Sequence, residues 1–403
     1  MKLRKFGRVL LASAVSTGLV TCITACGVSH TVDYLFVTAS KGNASGVGEI
    51  SSYSVDSVSG ALTQVPDSPF LSGGRNPVAE VTAPNGSNLY VANQLDNTIV
   101  QFKIGDDGKL YPTSTVNTPG SEPTALAVSP DGTLLFVTDN YAPNNPAYTD
   151  LNPGPGGLIV FPINATGGLG TPVANGSLNF WPLPFTPAGV NVLANGSTVY
   201  VVSKSGAVAG TNGGVTAFTI GSGGALTTVP GSPFAAGASP NAVATDPTSR
   251  FLYVTDGASN QLISYGIATG GALVPQVNGP TATGGFPDAV TVDPRGMFVY
   301  IANYNDPSVM AFAIDQATGN PTSVATGGTY AARTGPTCVL IEPSLGRFLY
   351  VSNFLDNTVT GLEINTTTGG MIATQGPDYL AAPQPTCLAA VTHGNHAIQH
   401  TQG

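Results

Sequence analysis

The sequence predicts an all-β chain closed into a seven-bladed β-propeller of four-stranded antiparallel blades. Three observations carry that expectation: a composition suited to short strands, a repeat with the internal order of a propeller blade, and a strand count that balances only if the two ends share one blade. The 403 residues include 51 Gly and 32 Pro, with only 9% charged and 42% hydrophobic residues. Such a mixture fits many short strands joined by turns rather than helices.

Each repeat reads as a Pro-started apolar segment, a Pro/Gly turn, a strand ending Tyr-Val or Phe-Val, an Asn- or Asp-containing turn, and an alternating third strand. The clearest copy is P-T-A-L-A-V-S-P-D-G-T-L-L-F-V-T-D from Pro123 to Asp139, with relatives beginning at Pro77, Pro187, Pro240, Pro287 and Pro336. Apolar alternation of period two between such turns reads as antiparallel strands. Third strands follow, such as Thr98 to Ile104, Ser308 to Ile314 and Thr358 to Ile364. Gly-x-Leu segments, such as Gly60-Ala61-Leu62 and Gly224-Ala225-Leu226, then open a fourth. Four strands in roughly 45 to 65 residues match a propeller blade better than any helical repeat.

Second strands centre on Phe36, Tyr90, Phe136, Tyr200, Tyr253, Tyr300 and Tyr350. The first lacks a Pro-started strand before it, and the segment from Pro385 lacks a second strand after it. The C-terminal segment is therefore expected to be the inner strand of the blade begun at Tyr34, which closes the ring by backbone hydrogen bonds.

The N-terminus carries Lys2, Arg4, Lys5 and Arg8, an apolar run from Val9 to Val20, and Ile23-Thr24-Ala25-Cys26-Gly27. Basic, apolar and small-residue segments in that order read as an export signal. Its Ile-Thr-Ala-Cys ending resembles the lipobox of bacterial lipoproteins. That resemblance implies a lipid on the Cys26 thiol, a membrane partner through that lipid, and a place in the bacterial cell envelope facing the periplasm or on the outer membrane. The expected organisation is a signal over 1–25, an anchor linker over 26–33, the propeller over 34–391 and a disordered tail over 392–403. The formal charge is −9 and the signal holds four of the 13 bases, so the exported part is strongly acidic. An acidic, base-poor surface argues against nucleic acid as a partner.

With L-Y-V-A-N, L-Y-V-S-N and V-Y-I-A-N second strands in this arrangement, the chain resembles the seven-bladed lactonase family that includes 6-phosphogluconolactonase. The resemblance covers nearly all of residues 34 to 391 and implies a hydrolase acting on lactones. Enzymes of that family look as if they rely on a Pro-Arg-His run opening an inner strand. Here the second position of that run reads Val78, Thr124, Ala188, Asn241, Asp288, Thr337 and Thr386. The third reads Ala79, Ala125, Gly189, Ala242, Ala289, Cys338 and Cys387. The histidines lie only at the termini, as His30, His393, His396 and His400. Carboxylates remain as bases, among them Glu122, Asp139, Asp256, Asp288 and Asp356, although Asp at such positions is a common turn former.

Chain direction places the second-to-third-strand loops and the blade-to-blade loops on one face. Two insertions, Asn140 to Gly157 and Ser177 to Pro187, are expected there, the second holding Trp181 between Phe180 and Phe185. Either these rings recognise a ligand or they cap neighbouring blades. The same face is expected to present Arg75, Glu122, Asp139, Asp256, Asp288, Tyr330 and Arg333. The two arginines are candidates for an anion, or for local ion pairs. Cys338 and Cys387 occupy matching P-T-C positions in adjacent blades, either as a disulfide or as two small buried residues. No metal or cofactor is expected. The leading reading is an envelope-anchored module binding a small molecule or protein at the loop-rich face. A lactone hydrolase and a structural envelope component are the alternatives.

Overall fold

In a computed structural model the described residues are 30–42, 46–143, 154–206, 210–325 and 327–394. They form seven antiparallel sheets around a central channel, each with four strand positions. The expected lipidation site at Cys26, the expected signal over 1–25, and residues 395–403 of the expected tail lie outside the described residues, as do 144–153 of the first insertion. None of the helices among the described residues is long and apolar enough to cross a membrane.

Blades 1 to 6 open with inner strands at Pro77–Thr82, Ser121–Val128, Pro187–Val192, Pro240–Thr245, Pro287–Val292 and Pro336–Ile341. Blade 7 takes its inner strand from the C-terminus, Pro385–Thr392, which pairs with Thr31–Ala39 in the register Phe36 to Ala389 and Val37 to Leu388. The expected closure is thus present. Its strands reach slightly further than anticipated, taking Thr31 to Asp33 from the linker and Thr392 from the tail. Fourth strands are continuous in blades 1 and 6 but broken in blades 3, 4, 5 and 7, where two short segments pair with one third strand.

Second strands are buried along most of their length, so both faces of the middle of each blade are apolar. Their aromatic centres serve the seams between blades. The Tyr90 hydroxyl donates to the Gly167 carbonyl of the next blade at 2.7 Å, and Tyr200, Tyr253, Tyr300 and Tyr350 do the same to Gly271, Gly319, Gly369 and Gly60. A buried phenol needs such an acceptor. Glycine is required at these turns: Gly319 has φ of 79°, and a Cβ there would lie 2.3 Å from the Phe251 ring.

Two second strands have Phe at the centre, and each of those seams is bridged by another group. Between blades 7 and 1, Tyr34 donates to the Asp106 carbonyl at 2.9 Å and Ser52 to the Gly108 carbonyl at 2.8 Å. Between blades 2 and 3, the Trp181 indole N–H donates to the Leu226 carbonyl at 3.0 Å. Of the two expectations for Trp181, recognition or capping of a neighbouring blade, this is the second. Trp181–Pro182 is the fourth strand of blade 2, and the ring is 5% exposed within an apolar cluster that includes Leu134, Phe136 and Phe218.

Candidate active site at the channel mouth

A β-bulge recurs at one place in all seven blades. The first residue of each inner-strand Pro motif pairs with the end of the second strand, the third residue pairs with the next position inward, and the second residue is left over. Such a bulge re-aims a side chain while keeping the remaining register. The seven extra residues are Val78, Thr124, Ala188, Asn241, Asp288, Thr337 and Thr386, and all of them line one cavity of about 620 Å³ at the channel mouth. The third residues line it too, so Ala79, Ala125, Ala242, Ala289 and Gly189 leave room where larger side chains would fill it.

Strain accompanies the bulges. Asn76, Glu122, Thr186, Phe286 and Gln384, each preceding the inner-strand Pro, are held in the left-handed region, at φ of 52° to 58°. Several are tied by asparagines just before the neighbouring third strand: Asn97 accepts from the Glu122 N–H at 2.7 Å, and Asn260 from the Phe286 N–H at 2.7 Å. Strained backbone of this kind gathers where geometry serves a site.

The charged groups on the cavity wall are Glu80, Lys204 and Asp288. Asp288 is half-buried, and its carboxyl is pushed up to about 6 by desolvation, with the Lys204 ammonium pulling the other way. Glu80 is 5% exposed. Its Oε1 accepts from the Thr38 N–H at 3.1 Å, while its Oε2 is buried without a partner. Burial raises this carboxyl well above the usual range, and the Cys387 sulfur adds to the rise. The hydroxyls of Thr124, Thr186, Thr337 and Thr386 and the amides of Gln94, Asn140 and Asn241 add further polarity.

Of the carboxylates weighed in the sequence, Asp288 is the one that lines the cavity. Asp256 ends the second strand of blade 4: burial raises its carboxyl, but the Ala238 and Ser239 N–H groups, both at 2.9 Å, outweigh that and hold it low. Asp356 accepts from the Thr334 N–H in the same manner at 2.9 Å. Asp139 accepts from the Gly120 N–H at 2.8 Å, is fully buried, and is pushed up to about 8 by desolvation. Glu122 bonds to Asn140 at 3.1 Å behind the cavity wall.

The arginine candidates take the local alternative. Arg75 grips Asp96 through Nε at 2.7 Å and through a second nitrogen at 2.6 Å, and Arg333 pairs with Asp378. Tyr330 lies in the fourth strand of blade 5 and faces an outer groove with Glu363 and Met371, away from the channel. Lys204 and Glu80 were not foreseen. Glu80 had a signal, because the fourth inner-strand position is otherwise Leu126, Val190, Val243, Val290, Val339 and Leu388.

Similar architecture occurs in proteins of varied roles. A periplasmic gluconolactonase from Pseudomonas aeruginosa superposes with a TM-score of 0.70 at 21% identity, over 91% of this chain and 100% of its own. A candidate 6-phosphogluconolactonase from Bacteroides uniformis gives 0.71 at 17% identity, over 90% and 100%. Hydrazine synthase from Kuenenia stuttgartiensis gives 0.55 at 17% identity, over 79% and 93%. At these identities the likeness concerns the fold. No curated protein matches in sequence. The family model described as lactonase, 7-bladed β-propeller, matches residues 47–149, 185–284, 225–341 and 279–390. With blades, closure and channel mouth arranged as described, this chain belongs to the seven-bladed β-propeller lactonase family.

Proposed function

We propose that the channel-mouth cavity hydrolyses a lactone, with Asp288 as general base. The observation that carries this reading is a carboxyl held at about 6 on the wall of the cavity, in a chain of the lactonase family. A base of that strength is mostly ionised at neutral pH yet still accepts a proton. Asp288 would take a proton from water as the water oxygen attacks the lactone carbonyl, and the ammonium of Lys204 would stabilise the developing oxyanion. As the ester bond breaks, the leaving ring oxygen would take the proton that Asp288 removed from water.

The wall carries one ammonium and no guanidinium beside two carboxyl groups. A phosphate dianion is recognised by forks of Arg or clusters of cations. The cavity thus suits an unphosphorylated sugar lactone, whose hydroxyls match the ring of Thr, Asn and Gln. The competing reading, a binding module at the loop-rich face, loses support because Arg75 and Arg333 are engaged in ion pairs and Trp181 is in the core.

The test is turnover of an aldonolactone panel, followed by acid release. Wild-type kcat/KM should rise with pH through about 6 as Asp288 ionises. Asp288→Asn should lower it about 100-fold or more. Absence of turnover by the wild-type protein on every lactone, or an Asp288→Asn variant as active as wild type, overturns the proposal.

A further inference from the structure

At the third inner-strand position, where four blades have Ala and one has Gly, blades 6 and 7 have Cys338 and Cys387. Inner strands of neighbouring blades run side by side, so matching residues meet across a seam. The two sulfurs stand 3.7 Å apart as free thiols, with the Cys338 S–H directed at the Cys387 sulfur. The Cys387 sulfur also lies 3.9 Å from the Glu80 carbonyl, and both cysteines open onto the cavity. Among the described residues no group of three His, Cys, Asp or Glu is placed to hold a metal ion, so a thiolate metal centre has no third ligand.

We propose that Cys338 and Cys387 form a redox site that interconverts between a dithiol and an interblade disulfide by exchange with a small disulfide donor entering the cavity. The bond requires the sulfurs to close to about 2.0 Å, a movement of side-chain rotation within one seam. Cys387 is the attacking group: the Cys338 S–H donates to it and lowers its thiol to about 7, against the opposing effect of burial. The same contact, with burial, pushes Cys338 up. A thiol ionising near ambient pH is well suited to exchange.

In the first step the Cys387 sulfur attacks one donor sulfur, the donor S–S bond breaks, and the departing donor sulfur takes the Cys387 proton. In the second, the Cys338 sulfur attacks Cys387 in the mixed disulfide and releases the second donor thiol, which takes the Cys338 proton. Two protein thiols are oxidised and one donor disulfide is reduced to two thiols. The bond spans 49 residues of chain and ties the closing C-terminal strand covalently to blade 6. The bond forms without Asp288 or Lys204, so its test reads out separately from lactone turnover.

The experiment uses the full chain equilibrated with oxidised glutathione, digested with trypsin without reduction, and analysed by mass spectrometry. Cleavage after Arg333 and Arg347 puts the two cysteines on separate peptides, 334–347 and 348–403, and keeps both away from Cys22 and Cys26. The expected result is a linked pair of these peptides that dithiothreitol separates, with the oxidised protein melting about 5 °C above the reduced one. Replacing both cysteines by Ala, the residue four other blades carry, should give a folded protein whose melting no longer depends on the redox buffer. Two free thiols in excess oxidised glutathione, or two separately glutathionylated cysteines with no linked pair, overturn the proposal.

Discussion

The seams between blades and the mouth of the channel are built from the same repeat and obey opposite rules. At the seams, the same job is done seven times: a buried donor from one blade meets a carbonyl of the next. Five seams use a Tyr hydroxyl and a Gly carbonyl. The remaining two use Trp181 and the pair Tyr34 with Ser52. At the mouth, one geometry, the bulge, is kept while its residue varies from Val78 through Thr124 and Asn241 to Asp288. The lesson is that this fold conserves hydrogen bonding where blades must hold together and geometry where chemistry is to be varied.

The harshest way to break this comparison is to remove a seam altogether. Truncation before Pro385 deletes the inner strand of blade 7, exposing the hydrogen-bonding edge of Thr31–Ala39 and apolar partners of Phe36 and Val391. The shortened chain should melt at least about 10 °C lower or fail to stay soluble, since an open apolar edge aggregates. A truncated chain melting like the full one would mean that the other six blades close without it.

That closure was legible in the sequence because strand alternation and Pro/Gly punctuation are local signals that one blade repeats for the next. The site was less so. The partners of Arg75 and Arg333 lie 21 and 45 residues along the chain, at Asp96 and Asp378, and no periodicity announces them. Trp181 sits among prolines, Pro182 and Pro184, that mask a two-residue strand as a loop. Asp288 was named as one carboxylate among five, but the bulge that turns it into the cavity leaves no mark beyond the preceding Pro.

A gentler probe of the seams is Tyr90→Phe, which leaves the Gly167 carbonyl without its donor in a buried place. Chemical denaturation should show a loss of about 1 to 3 kcal/mol. A loss well below 1 kcal/mol would mean that packing alone holds that seam. The smallest effect is expected from Arg75→Ala together with Arg333→Ala, because both ion pairs are substantially exposed. The double variant should unfold in denaturant close to wild type and leave lactone turnover within about twofold of wild type. A large drop in turnover would move the site outward from the channel to the rim.

One consequence of the closure reaches beyond stability. Asp33 pairs with Thr392, and the His393 N–H donates to the Val32 carbonyl at 2.8 Å, so the beginning and the end of the ring are neighbours on adjacent strands. A ring sealed in this manner has no privileged origin. Joining residue 30 to residue 394 by a short linker and reopening the chain at a surface loop between two other blades would lay down the same seven sheets in a rotated order. The order in which blades leave the ribosome is therefore separable from the shape they make, and the propeller can be renumbered without being redesigned.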